Sequence, residues 1–383
     1  AISAQRAFAP ARRRSLRRPP PMAPPRWSAL PRRALLTLLA ACVQTFMLLQ
    51  VGYFYALLRW RQRREPPAGG DAGRPTRPGA ADSGQGALRE LGGEAGVLGA
   101  TISCVVMVRN EEKSIRVTLR SLAAAVERAD KFEVVVVDSG CTDGTIAAAE
   151  AEAQALPFRV AFARAPAAGR GSALDAGTAA AAGEIIFVCH ADCLVPRHFD
   201  ALIRRGMLKP TTLATAFRFA LNRDELPEGE PLPGAGVMEF TVNLRAGWLQ
   251  LPFGDQGLAI TKARLTQRYN GWGGAEYPLV EDLQLVQQLR QDGARGLGWI
   301  ELVGDSSSPG GSGTLRCSPR RWRSLGVWRV NLVNQLVMLW YRSGATPRQL
   351  FDFYYGVRTN HVPRWLALLT APLMPRKAGG KGQ

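Results

Sequence analysis

The chain has 383 residues, with 49 Lys plus Arg against 31 Asp plus Glu, a formal net charge of +18. Residues 1–64 hold 13 Arg and no acidic residue, so the excess belongs to a tail and its flanks, not to a domain face. With no aromatic-interleaved basic motif either, this argues against a nucleic-acid binder, while the length allows one large domain with appendages.

Residues 1–33 are rich in Arg, Pro and Ala and read as a transit peptide or a short disordered tail. Residues 34–58 run 25 positions without a charge. As a helix they span about 37 Å, against roughly 30 Å for a hydrocarbon core. A single transmembrane helix is predicted, with Tyr53, Tyr55 and Trp60 as an interfacial belt. Arg residues flank both ends, but the long Arg tail favours a cytosolic N-terminus and a lumenal domain. The Golgi or another endomembrane is expected, with a plastid membrane as the alternative. Residues 59–100, rich in Gly, Pro and Ala, read as a flexible stem. A catalytic domain is expected over 101–356 and a tail over 357–383.

Strands are predicted at 102–108, 132–137, 158–163 and 183–189, separated by helical patterns. Near-continuous apolar strands alternating with helices predict an α/β fold with a mostly parallel sheet. The second half is less regular. Strands are expected at 213–221, 258–261 and 298–303, and helices at 237–249, 277–289 and 322–341. The last is amphipathic and fits a packed helix or a membrane-surface one.

Three carboxylates fall at element ends: Asp138, Asp192 and Asp282. In a parallel sheet the C-terminal strand ends open on one cleft. A carboxylate there can read a nucleoside, hold a hard cation or act as a general base. Six cysteines (Cys42, Cys104, Cys141, Cys189, Cys193, Cys317) form no CxxC pair and no zinc spacing. Cys189 and Cys193 bracket His190 and Asp192, but read as small residues at a buried strand end.

The order VVMVRNEE (105–112), VVVVDSGCTDGT (134–145), GRGSALDAG (169–177), HADC (190–193) and VEDL (280–283) resembles family 2 glycosyltransferases with the GT-A (Rossmann-like) fold. FGDQG (253–257) and SPRRW (318–322) add similarity to a bacterial-type subgroup named after radical-SAM or selenium-associated gene neighbourhoods. The resemblance implies an inverting glycosyltransferase using a nucleotide-sugar donor, a divalent cation (Mn²⁺ or Mg²⁺) and a hydroxyl acceptor on a glycan, lipid or protein. It implies donor contacts at Arg109, Asn110, Glu111, Asp138, Gly169, Arg170 and His190. Asp192 matches the last position of the DxD motif, the metal ligand, and Asp282 matches the base. Asp255, Gln256, Glu281, Arg321 and Trp322 fall on the acceptor side. The first DxD position is His190, which brings no negative charge and shifts the expected metal preference toward manganese. The Gln of the QxxRW motif is absent.

Two other readings use the same fold. A nucleotidyltransferase would want a Gly-rich basic loop after the first strand, where this chain has Arg109-Asn110-Glu111-Glu112. A non-catalytic nucleotide-sugar binder would not need all three carboxylates. A dehydrogenase is disfavoured by the missing GxGxxG.

Overall fold

The computed structural model describes residues 86–228, 231–304 and 313–355. The Arg-rich tail, the predicted span at 34–58, most of the stem and the C-terminal tail lie outside them. No helix among the described residues is long and apolar enough to cross a membrane.

The sheet starts from β1 (Ile102–Val108), β2 (Phe132–Asp138), β3 (Arg159–Arg164) and β4 (Ile185–Val188). They lie in the order β3-β2-β1-β4, all parallel. Beyond β4 come β7 (Ala259–Thr261), β6 (Thr212–Leu221), β9 (Thr314–Cys317) and the two-residue β5 (Cys193–Leu194). β7 is antiparallel to both its neighbours and β5 to β9, so the sheet is mixed rather than mostly parallel in this half. β8 (Trp299–Val303) pairs with β6 off this path. This is an α/β, GT-A-like fold.

The apolar strands are buried on both faces because alternate residues serve two cores. Cys104, Val106, Val134, Val136 and Phe187 meet α3 (Glu112–Ala125) and α4 (Thr145–Ala153). Val105, Val135, Val137, Ile186 and Val188 meet α5 (Arg170–Ala180) and α8 (Glu281–Ala294). The small residues of α5 have a packing reason. A Cβ on Gly177 would lie 2.4 Å from a Val105 methyl and 2.8 Å from a Val137 methyl. The helix therefore rides close on the sheet, and a larger residue would push it off.

Two expectations from composition change. Residues 86–99, assigned to the stem, fold onto the domain as α1 (Ala87–Glu90) and α2 (Glu94–Gly99). Ala87 and Val97 are fully buried, and Glu90 pairs with Arg264. The helix expected at 322–341 is two, α9 (Arg320–Leu325) and α10 (Val327–Arg342). They break at Gly326, whose φ of 84° is the left-handed conformation glycine adopts without a Cβ penalty. Helices α6 (Phe199–Met207), α7 (Ala235–Leu249) and α11 (Pro347–Tyr354) complete the order.

Candidate active site

The site forms where the strand order reverses. From β1 the chain steps outward to β2 and β3, and then returns to place β4 on the other side of β1. Loops leaving β1 and β4 diverge there and open a crevice at the C-terminal strand ends. Val108 lies opposite Asp138 in register, so the β1 and β2 loops start level. Asn110, in the left-handed region at φ 58°, accepts the Thr142 N–H on Oδ1 at 2.8 Å. The Glu111 N–H donates to Thr145 Oγ1 at 2.8 Å. Asp138 Oδ1 accepts the N–H groups of Cys141 (2.8 Å) and Gly140 (2.9 Å). The Cys141 N–H, opposed by partial desolvation, holds the Asp138 carboxyl below the usual range. Arg109 begins this loop, exposed.

Gly169 and Arg170 enter from the other face. Gly169 has φ 123°, and a Cβ there would lie 2.6 Å from Pro278 Cα. Glycine thus lets the start of α5 dock on residues 277–278, with the Arg170 N–H on the Pro278 carbonyl at 3.2 Å. The docking carries the Arg170 guanidinium to Glu281, Nε to Oε1 at 2.5 Å, and to His190 Nε2 at 3.0 Å. A guanidinium only donates, so His190 Nε2 is the acceptor and the ring is neutral. Burial, then the Arg170 charge, pull the His190 pKa down to about 4, against Asp192 and Asp282. Burial pushes the Glu281 carboxyl up to about 7, with Arg170 opposing. Its second oxygen, Oε2, has no hydrogen-bond partner among the described residues.

Asp282 sits in the first turn of α8. Its Oδ2 accepts the Gly254 N–H at 2.6 Å and its Oδ1 accepts the Leu283 N–H at 2.7 Å. Gly254 is where the groups converge. A Cβ there would lie 3.0 Å from Arg170 Nη2, 3.1 Å from Asp282 Oδ2 and 3.3 Å from His190 Nε2. A neutral imidazole, a guanidinium and an oriented carboxylate therefore face one small space. Asp255 follows, its carboxyl pushed up to about 6 by burial against the attraction of Arg245. Its Oδ1 is buried with no hydrogen-bond partner among the described residues. Gln256 turns inward: fully buried, it donates to the Phe217 carbonyl at 3.1 Å and builds the loop.

On the β4 side, Asp192 Oδ2 pairs with Arg320 Nη2 at 2.9 Å. The same nitrogen lies 2.9 Å from each Glu111 carboxylate oxygen. Arg320 thus joins the β1 and β4 loops. Ligand atoms of His190, Asp192 and Cys193 lie within 4.8 Å of one another. Arg321 and Trp322, expected on the acceptor side, take packing positions. Arg321 stacks on the Tyr354 ring at 4.1 Å and Trp322 tilts against Phe219. The sequence reading assigned no role to Arg320, Gly254 or Arg245. An arginine one residue before the RW pair was the only signal for Arg320.

Residues 103–267 match the family model described as glycosyl transferase family 2. No curated protein matches the chain. Among solved structures, it is similar to a mannosyltransferase from Pyrobaculum calidifontis in complex with GDP-Man and Mn²⁺, with 18% identity, 81% of this chain and 78% of that one covered, and a TM-score of 0.46. It is also similar to glucosyl-3-phosphoglycerate synthase from Mycobacterium tuberculosis in complex with Mg²⁺ and UDP, with 19% identity, 80% and 88% covered, and a TM-score of 0.37. At such identities and scores the chemistry has to be built from this chain's own residues.

Proposed function

We propose, from a chain whose residues 103–267 match the glycosyl transferase family 2 model, that the protein moves a sugar from a nucleotide-sugar donor to an acceptor hydroxyl, with inversion. The observation that carries this reading is the convergence of Asp282, Arg170 and His190 on Gly254. Asp282 is the only carboxylate of the three groups and is aimed by two backbone N–H groups. Each of its oxygens keeps a lone pair for an acceptor proton. Removing that proton makes the hydroxyl a competent nucleophile, and one in-line displacement inverts the anomeric carbon. Arg170 and Arg320 supply fixed positive charge where a diphosphate leaves. Neutral His190 accepts from Arg170 and keeps that guanidinium in place. The Asp138 loop fits a nucleoside, its carboxylate held ionised by backbone N–H groups.

A divalent cation fits beside Asp192. Asp192 would hold it, and His190, close enough to share the site, would join by releasing Arg170 from its one nitrogen lone pair; a carboxylate with an imidazole suits Mn²⁺ better than Mg²⁺. Held there, it would neutralise charge on the leaving diphosphate. Screening nucleotide-sugars by thermal stabilisation, with Mn²⁺ or chelator, tests this reading, since a ligand that binds the folded state raises its stability. One donor class should raise the melting temperature, and Asp192→Ala should weaken that donor by about tenfold or more, roughly the loss of one charge-assisted contact. Equal shifts with chelator and in Asp192→Ala would remove the metal site. No shift with any nucleotide-sugar would remove the function.

Residues 34–58 tie this domain to a membrane in the same proposal, with the Arg-rich tail cytosolic and the domain lumenal. The chain should then stay in the pellet after alkaline carbonate extraction, and its domain should resist protease in sealed vesicles. Release into the supernatant, or digestion without detergent, would overturn the anchor or its orientation respectively.

A further inference from the structure

We infer that Cys193 and Cys317 are a cross-linking pair that forms a disulfide between β5 and β9 under oxidising conditions. The two strands run antiparallel, with Cys193 directly opposite Cys317. The Ser318 N–H donates to the Asp192 carbonyl at 3.0 Å. That bond joins the residue after Cys317 to the residue before Cys193, so the cysteines form a non-hydrogen-bonded pair. In such pairs the Cα atoms are about 4.5 Å apart and the side chains are at their closest. A disulfide takes Cα separations of roughly 4.4–6.8 Å, so the register is compatible. The sulfurs lie 2.7 Å apart, against about 2.05 Å in an S–S bond.

The other described cysteines lack this arrangement. Cys104 and Cys189 share a side-chain hydrogen bond, but they belong to the parallel β1–β4 pair and are not register partners, since Cys104 lies opposite Phe187. Cys141 donates to the Val108 carbonyl. None of the three faces a cysteine across an antiparallel ladder.

The reaction is thiol–disulfide exchange with a low-molecular-weight disulfide such as oxidised glutathione. Both S–H bonds break and one S–S bond forms between Cys193 and Cys317. The electron pair cleaves the glutathione S–S bond, and the two protons end on two glutathione thiols. The thiols are 0% and 4% exposed, so the bond forms while the chain folds or opens and is then shielded from reductant. Its position gives it a consequence. Asp192 precedes Cys193, and Arg320 lies three residues after Cys317. The cross-link would hold the two loops whose side chains meet at 2.9 Å. None of this depends on the transfer reaction.

The full chain, refolded from denaturant in oxidised glutathione or in a reducing phosphine, tests the inference. Free thiols are alkylated and the unreduced protein is mapped by mass spectrometry. The expected result in oxidised glutathione is a loss of two thiols, one peptide joining Cys193 to Cys317, and a melting temperature several degrees above the reduced form. The temperature difference should vanish in Cys193→Ala/Cys317→Ala, which tests whether the gain comes from this bond. A different pairing, glutathione adducts at these two cysteines, or six free thiols after oxidative refolding would overturn the inference.

Discussion

Asp282→Asn is expected to lower kcat by roughly 10²–10⁴-fold, the range that a positioned general base contributes. Donor affinity should stay within a few-fold, because Asp282 is assigned to the acceptor proton and not to the nucleotide. The geometry makes the variant informative. Asp282 accepts a backbone N–H on each oxygen, from Gly254 and from Leu283. Asparagine keeps one acceptor and turns an NH₂ toward the other N–H. Some stability is lost with it, about 1–3 kcal/mol for a buried donor left unpaired. Melting temperature and donor binding must therefore be measured beside turnover. A folded variant that binds donor and does not transfer supports the assignment. A folded variant that transfers at the wild-type rate sinks it and moves attention to Asp255, the other carboxylate beside Gly254.

The positions legible in the sequence were those where an apolar run stops at a polar residue. Asp138 and Asp192 follow strands whose length and β-branched content mark burial, and topology places both at the crevice. Asp282 was legible because it heads an amphipathic helix. The paired partners were not. Arg320 reaches Asp192 because α9 begins after Pro319, and a shift of one position on a helix turns a side chain by about 100°. Its neighbour Arg321 is thereby sent to Tyr354. Gly254 looks like any turn glycine until the fold brings residues 170, 190 and 282 around it. Part of the mixed half of the sheet escaped for another reason: β5 has two residues and β9 four, too short for a period-2 pattern to rise above chance, and the strand expected at 258–261 carries no signal of its antiparallel direction. The helices at 87–99 were hidden by the Gly-rich composition they share with the segment before them.

Arg170→Met should be the most destabilising single change in the site, and its cost should depend on pH. Glu281 is 0% exposed, and its charge partner is Arg170, itself 28% exposed. Removing one member of such a pair costs about 3–5 kcal/mol, because the other charge is left buried. Glu281 can escape by taking a proton. Its folded-state pKa, already raised from 4.5 to about 7 with burial as the largest cause, moves higher still without Arg170. A raised folded pKa gives stability that is present below the unfolded value and is lost as pH rises through the folded one. The penalty of Arg170→Met should therefore be small near pH 5 and grow toward pH 8, read as urea midpoints across that range. Adding Glu281→Leu removes the orphaned carboxyl and should restore most of the stability at pH 8, since apolar replacement of a buried pair is often neutral or better. Turnover should stay lost in the double variant. The guanidinium that His190 holds over Gly254 is gone, and with it the positive charge assigned to the leaving diphosphate. Recovery of activity together with stability would make Arg170 a structural residue only. A flat pH dependence in the single variant would show that Arg170 and Glu281 are not the pair that holds α5 against α8.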